Sequence, residues 1–162
     1  MPKTSVQRIV FGILMSITMA YGMEVYNVAL REGGLSAMTD LVFWDALKET
    51  AYMWLFVFLF SNLWGNRLGR ALAARISRPE DAPFLRSVFL SCCTVLVMCP
   101  TMSLTAAVLF SVLPGAGSWG QLPALWAGTL LKNFPMALLW NLFAAGPLTR
   151  LIFRRLFPAE GA

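Results

Sequence analysis

Two charged residues stand inside long apolar runs of the sequence and are the first candidates for chemistry. Glu24 lies in the run 9–30, and Lys132 lies in the run 124–146. If both runs are helices, Glu24 lies about 22 Å and Lys132 about 12 Å from the start of its own run. Ionised groups in such helices are rare and usually face a bundle interior or a water-filled cavity. The two residues therefore predict an ion or proton pathway, or a structural ion pair that fixes the helix register.

Four more polar residues would surround the mouth of such a pathway. They are Asn27, Lys48, Glu49 and Asn133. No further acidic residue lies deeper in an apolar run to continue a proton relay, and a lysine near a helix end readily extends to the lipid headgroups. The structural alternatives, a buried ion pair or a headgroup contact by Lys132, therefore stay open.

Sulfur-bearing side chains form a second candidate site. The residues are Met19, Met23, Met98, Cys99 and Met102. Thioether and thiolate groups suit Cu(I), but methionine also fills gaps in ordinary apolar cores. The chain has no histidine, and it contains no phosphate-binding glycine loop, zinc-ligand set or nucleophile elbow. We therefore expect no cofactor and no enzymatic activity.

The composition places most of the chain in lipid. Of its 162 residues, 58% are apolar and 13% are charged, whereas a soluble domain has about half and about a quarter. So few charges cannot cover a surface that faces water, and the lipid bilayer is therefore the expected partner. The basic residues flank the apolar runs instead of forming one patch, so nucleic acid is not an expected partner.

The apolar runs predict one membrane domain over residues 1–162, with four spanning helices. A span needs roughly 20 mainly apolar residues. The predicted spans cover about residues 9–30, 45–64, 87–113 and 124–146. The first run continues past the small residues around Ala20, so we expect a retained helix and not a cleaved signal peptide.

The basic residues set the expected orientation in the membrane. A loop over residues 65–86 carries five arginines against two acidic residues. Ten of the 13 lysines and arginines lie in this loop, in the N-terminal segment or in the C-terminal tail. Because cytoplasmic segments are enriched in Lys and Arg, we expect a membrane protein with both termini in the cytoplasm. Its last ten or so residues are expected to lie as an amphipathic helix along that interface.

Small and polar residues form stripes where helices would pack. In the first span they recur every four positions, as Gly12, Ser16, Ala20 and Glu24. In the third they follow a heptad spacing, as Ser87, Ser91, Thr94, Met98, Thr101 and Thr105. Small residues at such spacings let helices approach closely. Pro100 interrupts the third span and is expected to kink or loosen it.

The two halves of the chain repeat. Met19 and Met23 correspond to Met98 and Met102 at a separation of 79 residues, and Trp44 corresponds to a second tryptophan, Trp126. The repeats cover residues 7–76 and 86–157. Each contributes two spans that enter from the same side, so a pseudo-two-fold axis along the membrane normal should relate them. The predicted fold is thus an all-α four-helix membrane bundle of two similar helical hairpins.

This arrangement resembles a bacterial family of short inner-membrane proteins catalogued as a domain of unknown function. The matching residues are Met15, Ser16, Met19, Asn27, Trp44, Met102, Ser103, Trp126 and Pro135. The first half has Met53 where the family pattern has proline, and the second half lacks the asparagine. The resemblance covers nearly the whole chain and implies a duplicated two-helix unit. It implies no catalytic residues.

These observations predict a small non-enzymatic membrane protein. A transporter-like unit, a channel-like unit and an accessory subunit all fit, and a homo-oligomer would build a pore from so few helices. The contrasting hypothesis is a structural or partner-binding protein without transport activity. A Cu(I)-handling protein that uses the sulfur-bearing residues is a third reading.

Overall fold

Every regular element that the computed structural model describes, over residues 4–78, 80–115 and 117–157, is helical. The six α-helices are α1 (Ser5–Arg31), α2 (Asp40–Phe60), α3 (Asn66–Ile76), α4 (Pro83–Ala107), α5 (Leu122–Trp140) and α6 (Gly146–Leu156). Wide, π-helical turns cover Ser61–Gly65, Val108–Val112 and Asn141–Ala145, and short 3₁₀ turns cover Leu35–Ala37 and Trp119–Gln121. The all-α class is thereby confirmed for this part of the chain. Lys3, which the charge count includes, lies outside the described residues.

The first helix begins and ends where the sequence supplies the terminating groups. The Gln7 amide donates to Thr4 Oγ1 at 3.2 Å, and the Thr4 amide donates to Gln7 Oε1 at 3.3 Å. This reciprocal cap satisfies two amides that the first turn leaves free. At the other end, Gly33 and Gly34 have φ angles of 121° and 96°, a conformation that suits glycine. Helix α1 includes the whole predicted span 9–30.

Two helices continue where the sequence predicts that they end. Helix α2 passes through the wide turn at residues 61–65 into α3, whereas a loop is predicted over residues 65–86. Helix α5 likewise passes through the turn at residues 141–145 into α6 and does not end at Pro147. That turn places Pro147 at the start of α6, where no amide hydrogen is needed. Only residues 77–82 of the predicted loop separate the two helices that flank them.

Helix α3 packs closely on α4 because two glycines, one in α3 and one just before it, leave room for α4 side chains. A Cβ on Gly69 would lie 2.9 Å from the Cα of Thr94, and a Cβ on Gly65, just before α3, would lie 2.3 Å from Met98 Sδ. Thr94 and Met98 belong to the predicted heptad stripe of the third span. For these two residues, the prediction of a helix-packing stripe is confirmed.

Helix α6 runs along the first half of α1. The Thr149 hydroxyl donates to Met15 Sδ at 3.5 Å, and the rings of Phe11 and Phe153 meet edge to face with centroids 5.5 Å apart. About half of the last ten or so residues, for which an interfacial helix is predicted, lies outside the described part of the chain, so that helix stays a prediction. Thr149 and Phe153 are buried, whereas Leu148, Leu151 and Leu156 of the same helix stay exposed.

The described chain divides into two compact units, and neither unit is one repeat. The first comprises Met1–Phe58 with Leu139–Ala162, and the second comprises Leu59–Leu138. Each unit keeps the hairpin of one repeat and takes the terminal helix of the other. The first unit thus holds α1, most of α2, and α6, while the second holds α3, α4 and most of α5. The predicted pseudo-two-fold axis stays a prediction.

Three stretches of the described chain are long and apolar enough to cross a membrane, namely Ser5–Arg31, Pro83–Val112 and Trp119–Leu156. Many large apolar side chains are exposed, among them Leu131 and Phe143 at 76% each. Such a surface suits lipid and not water. These findings fit a membrane protein. Helix α2 is not among the three stretches. It carries Asp45, Lys48 and Glu49 in its first half.

Candidate functional site

An apolar contact at the turn of the first hairpin brings two acidic residues together. Val28 and Ala29 of α1 form one buried core with Val42 and Ala46 of α2. Each of the four is at most 2% exposed, so the helices are held side by side at this end. The polar residues that follow in the same helical rows are thereby brought to one place.

Glu24 is the buried centre of this end of the hairpin. Its side chain lies on the packed face of α1 and is 2% exposed, like Ser16 and Ala20 of the same predicted stripe, at 3% and 2%. It lies within hydrogen-bonding reach of Asn27 and of Glu49 from α2. Three of the six predicted pathway residues are thus neighbours.

The second carboxylate is already paired with a cation. Arg31 Nη2 donates to Glu49 Oε1, with side-chain exposures of 44% and 17%. Arg31 also exerts an electrostatic effect on Glu24. Tyr52 lies one helical turn after Glu49 and interacts electrostatically with both acids and with the arginine. We call these five residues, Glu24, Asn27, Arg31, Glu49 and Tyr52, the Glu24 cluster.

The Glu24 cluster contains two carboxylate oxygens that lack a donor. Glu24 Oε2 and Glu49 Oε2 are both buried, and no described residue donates a hydrogen bond to either atom. A buried carboxylate oxygen without a donor is destabilising, because it has lost its hydrogen bonds to water and gained none from the protein. The cluster therefore has unused capacity for a cation or a proton donor.

Arg31 and Tyr52 are members that the sequence analysis does not assign to the site. The signal for Arg31 is present, because positions 24, 27 and 31 are separated by three and four residues and so lie on one helix face. Arg31 ends α1, and its place next to the glycines makes it look like part of a loop. The signal for Tyr52 is weaker, since it depends on the position of α2 against α1.

The other predicted pathway residues lie elsewhere. Lys48 pairs with Asp45 at 2.7 Å, and both side chains are exposed, at 77% and 43%. Lys132 is exposed and Asn133 is 6% exposed, and both belong to the second compact unit. The cation that pairs with a predicted pathway acid in the first unit is Arg31, through Glu49.

Three of the five predicted sulfur ligands contact other residues of their own units. In the first unit, Met19 Sδ accepts from Asn141 Nδ2 at 3.6 Å. In the second unit, Met98 Sδ lies against Gly65, and Cys99 Sγ is 3.9 Å from Ser103 Oγ. Among the described residues, no group of three or more His, Cys, Asp and Glu is arranged to hold a metal. The Cu(I) site through Met19, Met23, Met98, Cys99 and Met102 stays a prediction.

Comparison with known proteins gives one family. A family model described as "Domain of unknown function (DUF2798)" matches the chain twice, over residues 4–77 and 81–157. The two matches cover nearly all of the chain and lie close to the repeats 7–76 and 86–157. A search of curated proteins and a search of solved structures give no match.

Proposed function

The chain belongs to the DUF2798 family, and we propose that its two family segments form a small non-enzymatic protein that moves an ion across the bacterial inner membrane. Its four helical stretches cross the bilayer, with both termini and the basic segment around α3 in the cytoplasm. Ten of the 13 basic residues fall on that side, in accordance with the distribution of Lys and Arg in membrane proteins. The long run through α2 supplies the fourth crossing, with its charged first half near the opposite interface.

The observation that supports transport is the burial of Glu24. Its carboxyl group lies in the first candidate span, about 10 Å from the end of α1 at Arg31. A helix that served only for packing would be more stable with an apolar residue here. An acidic residue that is 2% exposed and has an oxygen without a donor is typical of an ion site within a membrane.

Ion flux into vesicles tests the proposal. We expect purified protein in proteoliposomes to carry a proton or alkali-cation flux well above that of empty vesicles, and we expect Glu24→Gln to abolish it. Glu32→Gln is the matched control, because it removes an exposed carboxyl group one residue beyond the same helix. Lys132→Met tests in the same assay whether Lys132, the other charged residue first predicted to form the pathway, contributes to the flux. Equal flux in the Glu24→Gln and control variants would remove Glu24 from the mechanism.

Reporter fusions test the threading. Reporters placed within residues 70–80 and after residue 157 should give the same cytoplasmic signal, whereas a reporter at Gly34 should give the opposite one. Placement of residues 70–80 on the far side from the termini would exclude four crossings.

A structural role is the second candidate, and the Arg31–Glu49 ion pair favours it. The pair joins α1 to α2 whether or not an ion passes. This reading predicts a homo-oligomer or a co-purifying membrane partner, together with no flux under any ion gradient. Cross-linking in native membranes, followed by mass spectrometry, distinguishes the two readings when it is combined with the flux assay.

A further inference from the structure

We propose that Glu24 and Glu49 share one exchangeable proton, so that the ion taken up by the Glu24 cluster is the proton. The inference deepens the proposed function, since it names the ion at the same site. It is carried by the charges and hydrogen-bonding groups of the first compact unit.

The first argument is the charge balance of the cluster. Glu24 and Glu49 bring two negative charges when both are ionised, and Arg31 brings one positive charge. Tyr52 of α2 also lies near these three groups, and its phenol is neutral near physiological pH. One positive charge is therefore missing at a place where uncompensated charge is costly.

The second argument is the hydrogen bonding between the two acids. The Glu24 and Glu49 carboxyl groups lie within hydrogen-bonding reach of each other, and no described residue donates to either Oε2 atom. Two ionised carboxylates both carry negative charge and therefore repel each other. Because each group only accepts hydrogen bonds, no hydrogen bond can form between them. A proton on one group makes that group a donor, and the same proton supplies the missing charge.

The third argument concerns a metal cation as the alternative. Hard cations take about six or more oxygen ligands. The two carboxyl groups and the one amide of the cluster supply fewer oxygen atoms than that. The Arg31 guanidinium next to Glu49 would also repel a metal ion. A proton needs only the two acids themselves.

Modification by a hydrophobic carbodiimide tests the inference. The reagent takes the proton of a carboxylic acid, the carboxylate then adds to the central carbon, and the adduct rearranges to a stable N-acylurea. No atom is lost, so the modified peptide gains the mass of the whole reagent. We expect the full-length protein in detergent or lipid to form this adduct at Glu24 or Glu49 at mildly acidic pH, with a yield that falls several-fold in alkaline buffer.

Two variants and one competition make the result specific. Glu24→Gln should remove the Glu24 adduct and lower the total yield several-fold, whereas Glu32→Gln should label like the unchanged protein. Sodium or potassium ions at constant pH should leave the yield unchanged. Protection by either ion would overturn the proton assignment in favour of a metal cation, and so would the absence of any adduct in the folded protein across the pH range.

The labelling assay and the flux assay test different claims, and either one can give a negative result without the other. Labelling without flux would keep the shared proton and remove the transport function. Flux without labelling would keep transport and remove the shared proton as its site.

Discussion

The two hairpins share one framework but carry different residues at the end where the chain turns back. In the register of the repeated methionines, Glu24 corresponds to Ser103, and in the register of the repeated tryptophans, Glu49 corresponds to Leu131. Ser103 is 1% exposed and Leu131 is 76% exposed. The first hairpin thus places two acids where the second has a buried hydroxyl group and an exposed leucine.

This difference separates what the fold requires from what a function requires. If a buried acid were needed for the hairpin to form, the second hairpin would need one as well. Its buried position instead holds Ser103, which lies 3.9 Å from the thiol of Cys99. We infer that the framework tolerates a neutral residue here and that the acids of the first hairpin serve a separate purpose. The following predictions test this comparison, beginning with the largest expected effect.

A side chain at position 22 should disrupt the first compact unit most. In the same register Gly22 corresponds to Thr101, and a Cβ on Gly22 would lie 2.0 Å from Trp140 Cε2. We expect Gly22→Thr to lower the free energy of unfolding by about 3 kcal/mol or more, since the indole has to leave its place. Unfolding in mixed micelles measures this loss.

The reverse exchange is the matched control. Thr101→Gly should cost only about 1 kcal/mol, mainly through backbone freedom. Equal losses in the two variants would show that the contact between Gly22 and Trp140 is not limiting.

An acid placed in the second hairpin should be the next most costly change. Ser103→Glu buries a carboxyl group at the position that corresponds to Glu24, but the position that corresponds to Arg31 holds Phe110. We expect a loss of about 3 kcal/mol in the free energy of unfolding. Ser103→Met separates charge from size and should cost clearly less, and a Glu variant as stable as the Met variant would contradict the argument.

Loss of Arg31 should destabilise the first hairpin by a smaller amount. Arg31→Met leaves Glu49 partly buried without its cation, and we expect a loss of about 1–2 kcal/mol, because the pair is partly exposed. Lys48→Met breaks the exposed pair with Asp45 and should change stability by less than about 0.5 kcal/mol. Thermal unfolding of both variants in one detergent compares them, and equal shifts would exclude a special role for Arg31.

The two indole hydrogen bonds should give the smallest effects. Trp140 Nε1 donates to the Thr18 carbonyl and Trp126 Nε1 donates to the Pro100 carbonyl, each at 2.9 Å. We expect Trp140→Phe and Trp126→Phe each to cost about 1 kcal/mol. A much larger loss for either one, in the same unfolding assay, would show that one compact unit depends on its indole more than the other.

Much of the framework is predictable because it depends on local signals. Apolar run length predicts the helices, the reciprocal cap at Thr4 and the glycines after Arg31 define α1, and the spacing of Ser16 and Ala20 predicts its buried face. The burial of Glu24 follows from the same spacing. These properties need no knowledge of which helices are neighbours.

The rest depends on contacts between distant residues. The continuation of α2 into α3 needs Gly69 against Thr94, and the sequence shows only that the apolar run has ended. The assignment of Arg31 to Glu49 needs the register of α1 against α2, and a shift of one residue would present another side chain. The division into units that exchange terminal helices follows from packing alone.

That exchange has a consequence for the order in which the protein is made. In the second unit, the contact of α3 with α4 joins residues close in the sequence, such as Gly69 and Thr94, and it can form soon after α4 leaves the ribosome. The first unit joins Thr18 to Trp140 and Met15 to Thr149, separations of 122 and 134 residues. The face of α1 around Met15 therefore lacks these protein contacts until α6 has been translated.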